Sequence, residues 1–302
     1  DGRPISGNLE VDLLTKGGTA VDAAVAAALV LGICEPQMTG IGGDCFALVK
    51  PAGSEDVVGL NASGRAPAGF DAEALRQSGL GELPAGSANA VTIPGAIDGF
   101  LALLARFGSL GREAVFAPAI RYAETGVPVS PRTAWDWKAS GDVLQGTARQ
   151  SYVANALPAG VRFALPGQAK ALQWLADHGR AGFYEGPVAE DMVKTLNAFG
   201  GSHSLDDFAA SKPDWVTPIT GPCSGAELIE LPPNGQGAVA HLIVGILSHF
   251  DLSKLDPNGA ERAHLEAEAI KLAYGVRNRA LEDPTAMPEE VEAAFVDADS
   301  AD

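Results

Sequence analysis

The chain has 302 residues, with 21 Lys or Arg against 38 Asp or Glu, so its formal net charge at pH 7 is −17. A hydrophobic content of 46% and a charged content of 20% are typical of a folded globular chain and exclude global disorder. The acidic surface would repel nucleic-acid phosphates and anionic membranes, so we expect neither as a partner. The longest apolar run, residues 23–34, is shorter than the roughly 20 residues that a membrane-spanning helix needs.

The predicted elements follow one another from the N-terminus with clear glycine and proline breaks. Asn8 is expected to cap the first helix, and Thr19 caps a second helix that is apolar nearly all round and should be buried on several sides. Helical periodicity predicts helices over residues 9–16, 20–32, 95–107, 112–125, 168–178, 188–199, 238–250 and 260–281. Strand patterns cover residues 45–50, 57–61, 215–220 and 226–231, the first two forming a hairpin.

These elements predict a layered α+β fold whose middle part is helical. We find no repeat and no low-complexity linker, so residues 1–302 are interpreted as a single domain. Residues 284–302 are acidic and poorly periodic, and are expected to form an exposed tail. The aromatic pair Trp135 and Trp137 is interpreted as a packing anchor rather than as a binding platform.

Cysteine and histidine usage argues against a disulfide framework and against a metal site. Cys34, Cys45 and Cys223 share no CxxC spacing, which favours a reducing compartment. We therefore expect a cytoplasmic rather than a periplasmic location, for a chain whose natural N-terminus is incomplete. The five histidines show no HExxH or HxH spacing, so no metal and no cofactor is expected; each is predicted at the surface or at a helix end: His178, His203, His241, His249 and His264.

Local catalytic signatures are incomplete. The glycine run at residues 40–43 is not a dinucleotide loop, because Cys45 stands where GxGxxG needs its third glycine. It is either a tight backbone turn or a loop that contacts a ligand. No GxSxG or SxxK motif is present, and a Ser-His-Asp triad assembled at long range has no local support. Composition and spacing alone thus indicate an α+β chain without a complete catalytic set.

Several ordered motifs resemble the gamma-glutamyltranspeptidase family. They are GGTAVDAAVA at residues 17–26, EPQMTGIGG at 35–43, VTIPG at 91–95, APAI at 117–120, PVSPR at 128–132, FYEG at 183–186, LPP at 231–233, HLEA at 264–267 and LEDP at 281–284. The resemblance covers nearly the whole chain, and its opening motif is long and specific.

The resemblance implies the large subunit of a precursor that cuts itself in two. In that family both subunits complete the four-layer αββα sandwich of the N-terminal nucleophile hydrolases. The implied nucleophile is a Thr at the start of the small subunit, whose α-amine serves as its base. No catalytic residue is therefore expected in this chain. The implied partners are that small subunit and a small-molecule amide, and a dimer of heterodimers is left open.

The substrate-binding residue that the resemblance implies is an Arg that grips the substrate carboxylate. Family members typically carry Arg-Glu-x-Ala-Pro, whereas this chain has Ser63 at the Arg position and Arg65 two residues later. If the segment is extended, both side chains point to one face and Arg65 still reaches the carboxylate; otherwise Arg65 is an ordinary surface residue. A second departure is PPNGQG at residues 232–237 in place of a typical Pro-Pro-Ser-Ser-Gly-Gly run.

Three functions remain open on this basis. The first is hydrolysis or transfer of gamma-glutamyl groups, as in glutathione breakdown. A second keeps the mechanism but acts on another carboxylate amide, such as oxamate or a glutaryl-cephalosporin. The third is a non-catalytic binding subunit. The two departures together favour a divergent, hydrolytic branch, and the position of Arg65 favours the second function.

Overall fold

The structure, a computed structural model, describes residues 3–84, 86–140, 144–153, 157–281 and 287. Its helices are α1 (Arg3–Thr15), α2 (Ala20–Cys34), α3 (Ala72–Gln77), α4 (Ala96–Phe107), α5 (Arg112–Thr125), α6 (Pro131–Ala139), α7 (Gly146–Ala148), α8 (Pro166–His178), α9 (Ala181–Tyr184), α10 (Pro187–Ala198), α11 (Leu205–Ala210), α12 (Gly237–Ser248) and α13 (Ala260–Ala280). Its strands are β1 (Cys45–Val49), β2 (Val58–Ala62), β3 (Val127–Pro128), β4 (Arg162–Phe163), β5 (Asp214–Val216), β6 (Ile219–Cys223) and β7 (Ala226–Glu230).

The chain forms two compact units. The first comprises Asp1–Cys45 and Ala62–Pro213, and the second comprises Phe46–Asn61 and Asp214–Asp302. Compact units of this kind occur within single domains as well as between domains, so the single-domain prediction stays a prediction. Helices and small antiparallel strand pairs together confirm the α+β class, and the first unit contains the helical lobe predicted for the middle of the chain. The four-layer arrangement stays a prediction.

Helix α2 is the centre of the first unit. It packs against α1, α4 and α5, and Val30 and Ile33 on it are fully buried. The prediction that this helix is buried on several sides is confirmed. The helix before it differs from the prediction: α1 begins at Arg3, so Asn8 lies inside the helix and does not cap it.

A capping box fixes the start of α2. The hydroxyl of Thr19 accepts a bond from the N–H of Asp22, whose carboxylate accepts the N–H of Thr19 at 2.8 Å. The same carboxylate is 0% exposed and also accepts the N–H and the hydroxyl of Ser109, at 2.9 and 3.1 Å. Burial works to raise the pKa of Asp22, but these hydrogen bonds outweigh it and the pKa is lowered. Asp22 therefore stays ionised and ties α2 to the segment between α4 and α5.

The helical lobe buries one of the two aromatic side chains predicted to anchor it. Trp137 on α6 is 2% exposed and meets Phe163 edge to face, with ring centroids 4.7 Å apart. Trp135 is 63% exposed, and the guanidinium of Arg132 lies 5.4 Å from its ring centroid. The packing prediction is thus correct for Trp137 and wrong for Trp135.

The second unit contains a three-stranded sheet in the order β1-β2-β5 and a β6-β7 hairpin. The predicted neighbours β1 and β2 are confirmed. The prediction of a single strand over residues 215–220 is wrong. The structure has one strand before Thr217 and Pro218 and another after them, because proline has no N–H to donate to a strand ladder. Helices α12 and α13 pack together.

Part of the predicted C-terminal tail is buried. Met287 is 7% exposed and packs with Ile219 and Ala238, whereas the rest of residues 284–302 lies outside the described residues. Among the helices that the structure describes, none combines the length and the apolar character needed to cross a membrane.

Candidate functional site

Arg65 lies on a loop that follows β2, here called the anchor loop (residues 63–69). Ser63 before it is half-buried, and Arg65 is exposed. Gly64 between them has a φ of +74°, so the segment is not regularly extended, and the argument that Ser63 and Arg65 point to one face is wrong. The assignment of Arg65 to a substrate carboxylate stays a prediction, now resting on how the loop is held.

The anchor loop is fixed against a second segment, here called the support segment (residues 91–95). The N–H of Ile93 donates to the carbonyl of Arg65 at 2.9 Å. A Cβ added to Gly64 would stand 1.8 Å from the Ile93 carbonyl oxygen, and one added to Gly95 would stand 2.1 Å from the Ala62 carbonyl oxygen. Two glycines therefore allow a backbone approach that no other residue permits. The position of the Arg65 backbone follows from this approach.

The glycine turn at residues 40–43 supports the same region from the other side. The N–H of Gly43 donates to the carbonyl of Gly40 at 3.1 Å, which closes the turn. The Gly43 carbonyl then accepts the N–H groups of Gly95 and Ala96 at 3.0 and 2.8 Å. These N–H groups lie at the start of α4, where a helix leaves its donors unpaired. The turn therefore has a backbone role, and its contact with a ligand stays a prediction.

A buried polar network holds the N-terminus of α4. The Tyr184 hydroxyl donates to the Pro94 carbonyl at 2.7 Å and accepts the N–H of Asp98 at 3.0 Å. Arg180 donates from Nε to Oδ1 of Asp98 at 2.8 Å, and its guanidinium lies 4.6 Å from the Tyr184 ring centroid. Burial raises the pKa of Asp98, and hydrogen bonds from Ser211 and Arg180 oppose it; burial and Asp98 likewise raise the pKa of Tyr184.

Sequence reasoning did not find this network. Tyr184 belongs to the FYEG motif that carried the resemblance, but nothing local connects it to Pro94 or Asp98. Asp98 and Arg180 are 82 residues apart in the chain. A charged residue inside an apolar helix start was the only local signal for Asp98, since such residues are rarely buried without a partner.

The second unit carries the other predicted motif, residues 232–237. The side-chain amide of Asn61 donates to Oδ1 of Asn234 at 2.8 Å, which joins the end of β2 to this motif. A Cβ on Gly237 would stand 2.5 Å from the Leu231 carbonyl oxygen, so the chain enters α12 through a close turn. Arg277 on α13 donates to Oε1 of Gln236 at 3.0 Å. The motif is thus a turn at the start of α12 that side-chain hydrogen bonds fix in place.

The two buried cysteines are unsuited to nucleophilic chemistry, and the described residues form no cluster suited to a metal ion. Burial raises the pKa of the Cys45 and Cys34 thiols to about 11, so both stay protonated at neutral pH and are poor nucleophiles. Within the described ranges, no group of three or more His, Cys, Asp or Glu side chains is arranged to hold a metal ion.

Two histidines depart from their predicted places: His203, and His241, which is half-buried in the middle of α12 with its Nε2 buried. His203 is 3% exposed, although every histidine was expected at the surface or at a helix end. Its Nε2 lies 2.8 Å from the carbonyl oxygen of Val91 in the support segment. His178 and His264 are exposed as predicted.

A comparison with protein-family models matches residues 8–301 to the gamma-glutamyltranspeptidase model. The chain belongs to the gamma-glutamyltranspeptidase family. The match covers nearly all of the chain, as the sequence motifs implied.

Individual relatives differ in the activities that their names state. The chain is 32% identical over 277 residues to the glutathione hydrolase-like YwrD proenzyme of Bacillus subtilis, covering 90% of this chain and 52% of that protein. It is 32% identical over 282 residues to the oxamate amidohydrolase proenzyme of Klebsiella pneumoniae, with the same two coverages, 90% and 52%. The chain spans about half the length of the curated relatives it matches.

Among solved structures, the cephalosporin acylase of Bacillus halodurans superposes with a TM-score of 0.89 at 34% identity. The superposition covers 98% of this chain and 56% of the acylase chain. A likeness of this extent confirms the mixed helical and sheet fold.

Proposed function

We propose that this chain is the substrate-anchoring subunit of an amide-cleaving enzyme, in which Arg65 binds a substrate carboxylate and a Thr at the start of a partner chain attacks the amide. The observation that carries the proposal is the exposed Arg65 on a loop whose backbone is held by Ile93 and by the close approach at Gly64. Membership of the family and the proenzyme names of its relatives support the partner chain.

Guanidinium chemistry suits the role given to Arg65. Its planar fork offers two parallel N–H donors to a carboxylate, and its charge persists at every physiological pH. The chain as a whole is strongly acidic, with a net charge of −17, so a substrate anion needs a local cation to approach. A held backbone reduces the conformational entropy that binding would otherwise cost.

The reaction proceeds in two acyl transfers. The Thr hydroxyl oxygen of the partner chain attacks the amide carbonyl while its proton passes to the α-amine of the same Thr. The tetrahedral intermediate expels the amine, which takes the proton back, and leaves an ester on the Thr. Water or an acceptor amine then attacks the ester, releases the acid or the new amide, and restores the hydroxyl. Arg65 holds the carboxylate end of the substrate, so that the carbonyl stays in place at the Thr in each step.

Two acyl groups are candidates. Gamma-glutamyl compounds such as glutathione come first, since the family model and the YwrD relative carry that chemistry in their names. A smaller or different acyl group comes second, because Ser63 stands at the usual Arg position and the anchor is two residues further on. Similarity to an oxamate amidohydrolase and to a cephalosporin acylase favours this second candidate specifically.

The first test asks whether the partner chain exists. Intact mass measurement and N-terminal sequencing of the full-length purified protein should reveal a second chain that starts with Thr. A substrate panel then follows, in which release of a chromogenic amine from a gamma-glutamyl anilide reports the first candidate. Ammonia released from oxamate, or acid released from a glutaryl amide, reports the second. Finding one unprocessed chain without activity on any of these would instead support a non-catalytic subunit.

The second test addresses Arg65 directly. Arg65→Ala should raise KM for the carboxylate-bearing substrate by about 10- to 100-fold, which corresponds to loss of about 1.5–3 kcal/mol from a charge-assisted pair. Arg65→Lys should recover only part of this, because an ammonium lacks the planar fork. Arg76→Ala is the matched control, since its side chain is 71% exposed and pairs only with Glu73 at 3.6 Å among the ion pairs recorded for the described residues. A change below twofold for Arg65→Ala would remove the anchor from the proposal.

A further inference from the structure

His203 is held rigidly in the interior of the first unit. The side-chain amide of Asn197 donates to the backbone carbonyl of His203 at 2.9 Å and accepts its N–H at 3.0 Å. Nε2 of the ring lies 2.8 Å from the Val91 carbonyl oxygen. Because a carbonyl only accepts, Nε2 carries the proton and donates. Nδ1 is buried and has no hydrogen-bond partner among the described residues.

The residues next to His203 hold the anchor loop as well. Residues 201–207 are here called the clamp segment. Asp207 accepts the N–H of Ala68 at 2.9 Å through Oδ1, and its Oδ2 accepts the N–H and the hydroxyl of Ser204 at 2.9 and 2.7 Å. Ser202 is in close contact with Gly69, where an added Cβ would stand 2.9 Å from the Ser202 carbonyl oxygen.

The hydrogen bonds of the clamp segment favour the ionised form of Asp207. Burial works to raise its pKa, but the hydrogen bonds from Ser204 and Ala68 outweigh burial and lower it. Asp207 is therefore ionised at neutral pH, and its bond to the Ala68 N–H is charge-assisted.

The clamp segment thus contacts both the anchor loop and the support segment, which are hydrogen-bonded to each other at Arg65. Ala68 lies three residues after Arg65, and Val91 lies two residues before Ile93, whose N–H donates to the Arg65 carbonyl. Val91 is 37% exposed, so without the histidine its carbonyl would exchange the ring N–H for water and the support segment would lose a fixed point.

We propose that His203 is a positioning residue for Arg65: its Nε2–H fixes the support segment, which in turn sets where the guanidinium stands. The inference rests on the proposed function, in which Arg65 binds the carboxylate. A bidentate pair tolerates little displacement. A shift of about 1 Å in a substrate-positioning group is enough to lower kcat/KM by up to about 100-fold. His203 is thereby linked to carboxylate affinity without touching the substrate.

The test compares His203→Met with His203→Gln in the full-length processed protein. Methionine fills the space without a donor, whereas the glutamine amide N–H reaches the position of Nε2. His203→Met should raise KM for the carboxylate-bearing substrate at least fivefold and change kcat less than twofold, and His203→Gln should stay within twofold of the parent in both. His178→Met is the control, because His178 is exposed on α8 and belongs neither to the clamp segment nor to the anchor loop.

A readout independent of activity accompanies the kinetics. Hydrogen exchange at the amides of Ile93 and Ala68 should be about tenfold faster in His203→Met and unchanged in His203→Gln. Unchanged exchange in His203→Met would overturn the positioning role. So would faster exchange with an unaltered KM in a protein whose KM does respond to Arg65→Ala.

The double variant separates this inference from the proposed function. If His203 acts through Arg65, adding His203→Met to Arg65→Ala should raise KM no further, and additive effects would overturn the inference. If Arg65→Ala itself leaves KM unchanged, the anchor of the proposed function fails, and the positioning role fails with it. If Arg65→Ala raises KM and His203→Met does not, only the positioning role fails.

Discussion

Gly64→Ala is the substitution whose cost can be worked out most directly from the structure. An alanine at a φ of +74° costs about 1–2 kcal/mol in backbone strain. Its Cβ would stand 1.8 Å from the carbonyl oxygen of Ile93, which is roughly 1.5 Å short of an ordinary contact. Ile93 is 2% exposed, so relieving this overlap disturbs packed backbone and costs about 1–3 kcal/mol more.

The overlap also threatens the hydrogen bond from Ile93 to Arg65, which contributes about 1 kcal/mol. Gly64→Ala should therefore lower the free energy of unfolding by about 4 kcal/mol, close to the whole stability of a marginal domain. Urea unfolding with linear extrapolation measures this loss. The same substitution should raise KM for the carboxylate-bearing substrate, because the backbone next to Arg65 moves.

Two glycines provide matched controls for Gly64. Gly53 has a φ of +76° and Gly79 a φ of +90°, and an added Cβ at either meets nothing within 4 Å. Gly53→Ala and Gly79→Ala should each cost only the backbone strain of about 1–2 kcal/mol. If the loss in free energy of unfolding for Gly64→Ala exceeds that of these two variants by less than about 1 kcal/mol, the close contact with Ile93 adds no cost and the prediction is refuted.

Four further substitutions test polar groups that are buried or half-buried. Arg180→Met leaves the carboxylate of Asp98, 3% exposed, without its ion-pair partner and should cost about 3–5 kcal/mol at pH 7.5. Because burial already raises the pKa of Asp98, this loss should shrink as the pH falls and the carboxyl becomes protonated, as urea titrations at several pH values would show. Asp22→Asn removes a carboxylate whose pKa is lowered, so its cost of about 2–3 kcal/mol should be present above pH ~4 and disappear as the pH falls through the folded-state pKa. Asn61→Ala and Asn234→Ala should show a coupling of about 1 kcal/mol in a double-mutant cycle, since their side chains share a hydrogen bond of 2.8 Å.

Each of these has a result that contradicts it. A loss in Arg180→Met that stays constant from pH 4.5 to 7.5 would show that the charge on Asp98 is not what the arginine stabilises. For Asp22, a loss that persists in full at low pH would point to packing rather than to the ionised hydrogen bonds. Strictly additive effects of the two asparagine substitutions would show that their hydrogen bond contributes no net stability.

The helices most accurately predicted are those with both a strong period and a defined end. The prediction for α5 matches its bounds, Arg112–Thr125, because Gly111 and Gly126 flank it. Helix α6 was missed although Ser130 caps it and Pro131 occupies its first turn, a signal that was available in the sequence. Its amphipathic pattern covers only nine residues, which is too short for periodicity to be decisive.

Only part of the candidate site could be predicted from the sequence. Arg65 could be named because a family motif surrounds it, and the need for glycine at residue 64 is visible only as a departure from that motif. His203 was predicted at the surface or at a helix end, since nothing in its neighbourhood reveals that Val91, 112 residues away in the chain, accepts its ring N–H.

The sequence by itself determined the family, the α+β class, most helix positions and the acidic character of the chain. These depend on local propensity, on the period of apolar residues and on motifs that lie within a few residues of one another. The tertiary structure alone decided that Gly64 faces the Ile93 carbonyl and that Arg180 pairs with Asp98. The reason is physical: a close approach or a buried hydrogen bond joins residues that are far apart in the chain, and only the packing of the elements between them brings their atoms within 3 Å.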